Sequence, residues 1–196
     1  MRKVVYIQFT NPELYPPLEH GSKILVQNGW ECHFLGRHSA MTGKIAFATL
    51  SGRTVECMPK WSMRLPAKLE FMAYAAWAIL KVVRMRPDAL YLSDALVAPI
   101  GVFLHRVGYR VVYHEHDTPD PTLARWLHRA RRQLFRLAAF SVIPNAKRIV
   151  QEALEIQELL EVRNFPSQAE VVAAPPLATD GLVLCYFGTL VPSRLP

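Results

Sequence analysis

The chain has 196 residues, 51% of them hydrophobic and 20% charged, and carries a formal net charge of +7. That apolar content excludes a disordered chain, and the length accommodates one domain with a full core, or one domain and a small part of another. The basic balance invites a polyanionic partner, whether a nucleic acid, a phosphorylated ligand or an anionic membrane surface. No zinc-finger, RNP or helix-turn-helix signature stands in the sequence, so nucleic acid is not the expected partner.

Strand and helix signals alternate along the chain. Residues 3–9 are apolar and β-branched and predict a first buried strand; the run is interrupted at Gln8 and is shorter than a signal-peptide core. Residues 17–29 carry helical spacing and close on Gly29, as helices commonly do. Short strands are predicted over 31–35 and 53–58. A long helix over 66–86 stops before Pro87, and its apolar stretch, residues 71–80, is about half of the roughly 20 residues that a membrane span requires. Residues 89–92 predict the next strand, 95–107 a helix closed by Gly108, and 109–114 another strand. An arginine-rich helix over 121–138 and a strand over 140–143 follow, and a helix over 146–157 with a strand over 160–163 completes the unit.

Parallel strands need crossover connections, so this alternation predicts an α/β fold with a doubly wound, mostly parallel sheet and helices on both faces. The domain is expected over 1–165, with a Pro/Ala-rich linker over 166–180. Residues 181–196 read as the first strand and glycine turn of a second α/β domain, a beginning suited to a phosphate. Neither face of the strand 182–187 is polar, so that segment is expected to dock, to pair with another molecule or to lack fixed structure. Cys32, Cys57 and Cys185 are odd in number and widely spaced, and read as reduced core residues of a cytoplasmic protein.

Ligands of parallel sheets gather at the carboxyl ends of the strands. This rule ranks Thr10 and Asn11, Asp94, His114 to Asp117, and Pro144 with Asn145 above other polar residues. Neither Gly-x-Gly-x-x-Gly nor a Walker lysine loop follows the first strand, and no acidic residue closes the second, so a nicotinamide or flavin dehydrogenase is not expected. The Tyr15-Pro16-Pro17 loop, with Glu19 and His20 at the helix start, could line an acceptor pocket or merely pack its prolines and leave both polar residues in solvent.

The densest chemical cluster is YHEHDTPDP, residues 113–121. On a strand, His114 and His116 share a face while Glu115 points the other way. Two imidazoles could ligate a metal, but no other strand end supplies a histidine and the spacing of dinuclear hydrolases is absent, so no metal is expected. Two readings stay open: a polar substrate site, where imidazole bonds a hydroxyl and Asp117 orients it, and a structural role in which Asp117 caps a turn. Asp94 and Asn145 open helices, where N-capping accounts for them without function. Arg125, Arg129, Arg132 and Arg136 recur on one helical face, opposite Leu127, Ala130, Leu134 and Leu137. A solvated face explains this stripe, and so does contact with an anionic membrane shared with Lys60, Trp61, Arg64 and Lys68.

The segments VVYIQFTNPELYPPLEHGSKILVQNGWECHFLG, YLSDALVAPIGVFLHRVGYRVVYHEHDTP, VIPNAKR, VRNFP and YFGTLVPSRLP, in this order, resemble a bacterial branch of the glycosyltransferase family 4-like proteins. The resemblance implies the GT-B fold, two Rossmann-like domains facing a cleft, the first binding mainly the acceptor and the second the nucleotide-sugar donor. It makes this chain the acceptor half of a hexosyltransferase-like enzyme that retains anomeric configuration and takes its donor domain in cis or in trans. The implied partners are a nucleotide-sugar and a sugar or lipid-linked acceptor, without cofactor or metal, in the cytoplasm or at the inner face of a membrane. By resemblance, His116 with Asp117 contacts the transferred sugar, and Gly188 and Arg194 match the turn and a basic position that neutralise the leaving diphosphate. Asn11, Tyr15, His20, Asp94, His114 and Asn145 would line the acceptor side. The chain departs from the family where residues 10–17 replace a Gly-Gly loop, where Thr189 stands in place of an arginine, and in lacking the paired-glutamate motif of the donor domain. A non-catalytic acceptor-binding module that works with a separate donor partner is the competing expectation.

Overall fold

The computed structural model describes residues 1–12, 16–38, 51–116, 122–147, 149 and 154–162. The chain divides into two units, Met1–Asn164 and Phe165–Pro196, and every described residue belongs to the first. The predicted linker and the strand 182–187 lie outside the described residues.

Among the described residues, seven strands, β1 (Arg2–Ile7), β2 (Trp30–Arg37), β3 (Arg53–Met58), β4 (Ala89–Ser93), β5 (Val111–His114), β6 (Phe140–Ile143) and β7 (Leu159–Glu161), form one sheet in the order β3-β2-β1-β4-β5-β6-β7. Every pairing is parallel. Such a sheet is buried on both faces, and β1 shows why its sequence is continuously apolar. Val5 and Ile7 enter one core cluster while Val4 and Tyr6 enter another, across the sheet.

The helices α1 (Pro16–Gln27), α2 (Ala67–Met85), α3 (Ala98–Arg106) and α4 (Arg125–Leu137) supply four of the crossovers, β1 to β2, β3 to β4, β4 to β5 and β5 to β6. Leu18 of α1 joins the cluster of Tyr6, Cys32 and Phe34. Tyr74, Ala78 and Val82 of α2, Ile100 and Leu104 of α3, and Leu134 and Phe135 of α4 fill the larger cluster on the opposite face. Each buried Val, Leu, Ile or Phe among them contributes about 1.5–3 kcal/mol by leaving water. Gly108 ends α3 at φ +97, in the left-handed region where a side chain would be strained.

Most predicted boundaries hold within a few residues, and three differ for physical reasons. The helix expected over 95–107 splits into a 3-10 turn, Ala95–Val97, and α3, whose second residue is Pro99; proline, lacking an N–H, fits the first turn of a helix. The arginine helix begins at Arg125, after an extended Ala124. The helix expected over 146–157 does not reach its end: residues 154–158 are irregular, because Glu158 O already accepts from Ser141 N at 2.8 Å and leads the chain into β7.

Candidate functional site

The strand order reverses between β1 and β4. In open parallel sheets the crevice at such a switch lies beyond the carboxyl ends of the strands. After β1 the chain keeps close to β2: Gln8 N donates to Leu35 O at 3.1 Å and Arg37 N to Thr10 O at 3.0 Å. Gly36 permits this approach, since a Cβ there would stand 2.3 Å from Pro12 Cδ and 2.7 Å from Thr10 O. The Tyr74 hydroxyl, on α2, reaches Gln8 O at 2.8 Å and Leu35 O at 3.0 Å and ties both strand ends to the helix. The Gln8 amide is buried, and among the described residues neither its Nε2 nor its Oε1 has a hydrogen-bond partner. A buried amide left without protein or water partners would cost about 1–3 kcal/mol.

On the neighbouring pair, the register sets Ser93 opposite His114. Tyr91, Ser93, His114 and His116 therefore share one face of the sheet. The Tyr91 hydroxyl and His114 Nδ1 are hydrogen-bonded at 2.6 Å. The His114 and His116 rings lie against each other with centroids 3.7 Å apart, and His116 Nε2 is bonded to Ser93 Oγ at 2.7 Å. Burial, with the adjacent His116 adding to it, pushes the His114 pKa down to about 3, so this imidazole is neutral at physiological pH. The half-buried His116 ring is thus held from beneath by a neutral ring and from the side by a hydroxyl.

Glu115 turns to the other face, as the strand period predicts, and is buried against α4. Arg131 grips its carboxylate through Nε and, at 2.6 Å, through Nη2 to Oε1, while Tyr113 Oη donates to Oε2 at 2.8 Å. Neither Arg131 nor Ser93 is among the site residues that the sequence ranks. Arg131 had a signal, since it falls on the buried stripe of α4 with Leu127, Leu134 and Phe135. An arginine there requires an acidic partner in the core.

Asn11 and Asp94 follow β1 and β4 as expected, both half-buried at the carboxyl edge. Asp94 Oδ1 accepts from Leu96 N at 2.9 Å, and the exposed Asn145 accepts through Oδ1 from Lys147 N at 2.9 Å, so both act as local caps. His20 is exposed on the second turn of α1, and His114 is buried under His116. Tyr15, Asp117, Gly188 and Arg194 lie outside the described residues. Among the described residues, no three His, Cys, Asp or Glu side chains are grouped to hold a metal ion.

No protein-family model matches the chain, and no curated protein does. Solved structures do. A UDP-glucosyltransferase from Polygonum tinctorium, capable of glucosylating indoxyl, is similar at a TM-score of 0.57 and 12% identity, over 90% of this chain and 55% of that one. MurG from Acinetobacter baumannii is similar at a TM-score of 0.50 and 17% identity, over 73% of this chain and 41% of that one. The UDP-GlcNAc 2-epimerase from Methanocaldococcus jannaschii is similar at 0.57 and 14%, over 82% and 45%. The chain thus spans about half the length of these structures. The likeness shows the fold: a Rossmann-like parallel α/β domain, as in GT-B proteins.

Proposed function

We propose that this chain is the acceptor-side domain of a retaining glycosyltransferase that draws its sugar from a nucleotide donor, with His116 contacting the transferred sugar beside Asp117. One observation carries the reading: His116 is pinned by Ser93 at the carboxyl edge, one strand from the β1/β4 switch, in a fold shared with a UDP-glucosyltransferase. Transfer to an acceptor depends mainly on positioning and on stabilising the leaving diphosphate. A fixed, orientated imidazole serves the first need by hydrogen-bonding a sugar hydroxyl. The second need falls to a donor domain, for which Gly188 and Arg194 would form the opening turn and a phosphate-facing charge.

The test joins this chain to a GT-B donor domain and assays sugar transfer and donor hydrolysis with a panel of UDP-, GDP- and dTDP-sugars. The joined protein should turn over, and His116→Ala should lower turnover by about 10²-fold, the scale of one positioned polar group, without changing the melting temperature. Equal turnover in the His116→Ala protein would remove the histidine from the mechanism, and sugar transfer by the 196-residue chain alone would overturn the half-enzyme reading.

A further inference from the structure

The outer face of α2 breaks the usual pattern of a surface helix. α2 buries Glu70, Tyr74, Ala78 and Val82, and such a helix ordinarily turns polar side chains outward. Here the outward positions are Leu69, Met72, Ala76, Leu80 and Val83, spaced three or four residues apart. The four large ones are 47–64% exposed. Phe103 of α3 and Trp126 of α4 are about half exposed on the same side of the sheet, and Trp126 meets Phe71 of α2 edge-on with centroids 5.8 Å apart. A grouped apolar surface of this kind marks an interaction site, whereas scattered exposed apolar residues do not.

The helices of this surface are basic. Outside the core, α2, α3 and α4 carry eight Lys or Arg, of which Lys81 pairs with Glu56 and Arg136 with Glu155 at 3.6 Å; their single acid, Glu70, is buried and paired with Arg37 at 2.7 Å. Lys68 and Arg84 flank the α2 stripe on opposite sides, and Arg125, Arg129 and Arg132 are exposed along α4.

We propose that this face lies on an anionic lipid bilayer, with the α2 stripe at the acyl boundary and the flanking bases at the headgroup phosphates. The combination of an apolar stripe with Lys and Arg at its margins is what an interfacial helix requires. A second copy docked on the same face would oppose two basic rims with no surface acid in these helices to balance them, which charge repulsion disfavours. No helix among the described residues is long and apolar enough to cross a membrane, so the contact runs along the surface. This inference is independent of the transferase reading.

Co-sedimentation of the full chain with phosphatidylcholine vesicles, with and without a third of phosphatidylglycerol, tests it. The chain should bind only the anionic vesicles, and salt raised from about 0.1 M to about 0.5 M should weaken binding. Leu80→Gln with Val83→Gln, and separately Arg125→Gln with Arg129→Gln and Arg132→Gln, should each weaken binding at least about tenfold, because both the apolar and the charged term are needed. All these side chains are exposed, so thermal melts should stay unchanged. Binding that survives both sets of substitutions, equal binding to neutral vesicles, or no vesicle binding together with self-association that the Leu80 and Val83 substitutions abolish, would overturn the proposal.

Discussion

Arg131 and Glu115 meet inside the core as a two-pronged ion pair, one residue before His116. Both side chains are about 2% exposed, so neither charge could be hydrated if the other were lost. Arg131→Leu alone should therefore destabilise the domain by about 3–5 kcal/mol, and Glu115→Leu by a similar amount. The double substitution should restore much of the loss, since two apolar groups leave no orphaned charge. Urea unfolding of the four proteins closes this cycle; additive losses would mean that the pair is not coupled.

A second expectation concerns acid. His114 has its pKa pushed down to about 3 in the folded chain, against about 6.5 when unfolded. Between those values the unfolded chain binds a proton that the folded chain refuses, so stability falls as pH drops through this window and is unaffected by His114 above it. The slope reaches about 1.4 kcal/mol per pH unit at most. His114→Gln should flatten that part of the pH profile relative to the parent. By NMR, the His114 ring should show no titration between pH 7 and about pH 4.5, the behaviour of a desolvated imidazole. A midpoint near 6.5 would refute the assignment.

Gly36 faces Pro12 and the carbonyl of Thr10 at distances no Cβ tolerates. Gly36→Ala should cost about 1–3 kcal/mol as overpacking and push the 10–12 loop away from β2. Chemical-shift changes should centre on Thr10, Asn11 and Pro12; an unperturbed loop with native stability would show that the contact yields freely.

Cys32 is buried, and burial pushes its thiol up to about 11, while Cys57 is partly exposed. Mass mapping after iodoacetamide should find Cys57 modified in the folded protein and Cys32 modified only in urea, because the thiolate is the reactive form. Labelling of Cys32 at the rate of Cys57 under native conditions would contradict this.

The strands were legible because residues buried on both faces must be apolar, and the histidine pair was legible because a strand has a period of two. Ser93 was not. Its bond to His116 depends on the register of β4 against β5, which no local pattern encodes. The sheet order escaped for the same reason: β3 ends at one edge and β4 begins beyond β1, a jump that α2 spans without any turn signal to announce it. The helix expected over 146–157 overran because helical spacing in its sequence competes with a tertiary demand, the need of Ser141 N for the Glu158 carbonyl.

The Tyr74 hydroxyl lies between two carbonyls on different strands, with its ring buried in the core. It works as a rivet: its one proton is shared between the two carbonyls, and α2 cannot slide or tilt without giving up that bond, worth about 0.5–1.5 kcal/mol. The same helix carries the apolar stripe on its outside and, through that rivet, fixes where β1 hands over to Asn11. A Tyr74→Phe chain would keep the core volume and lose only this tie, so its loss of stability reads the worth of the bond alone.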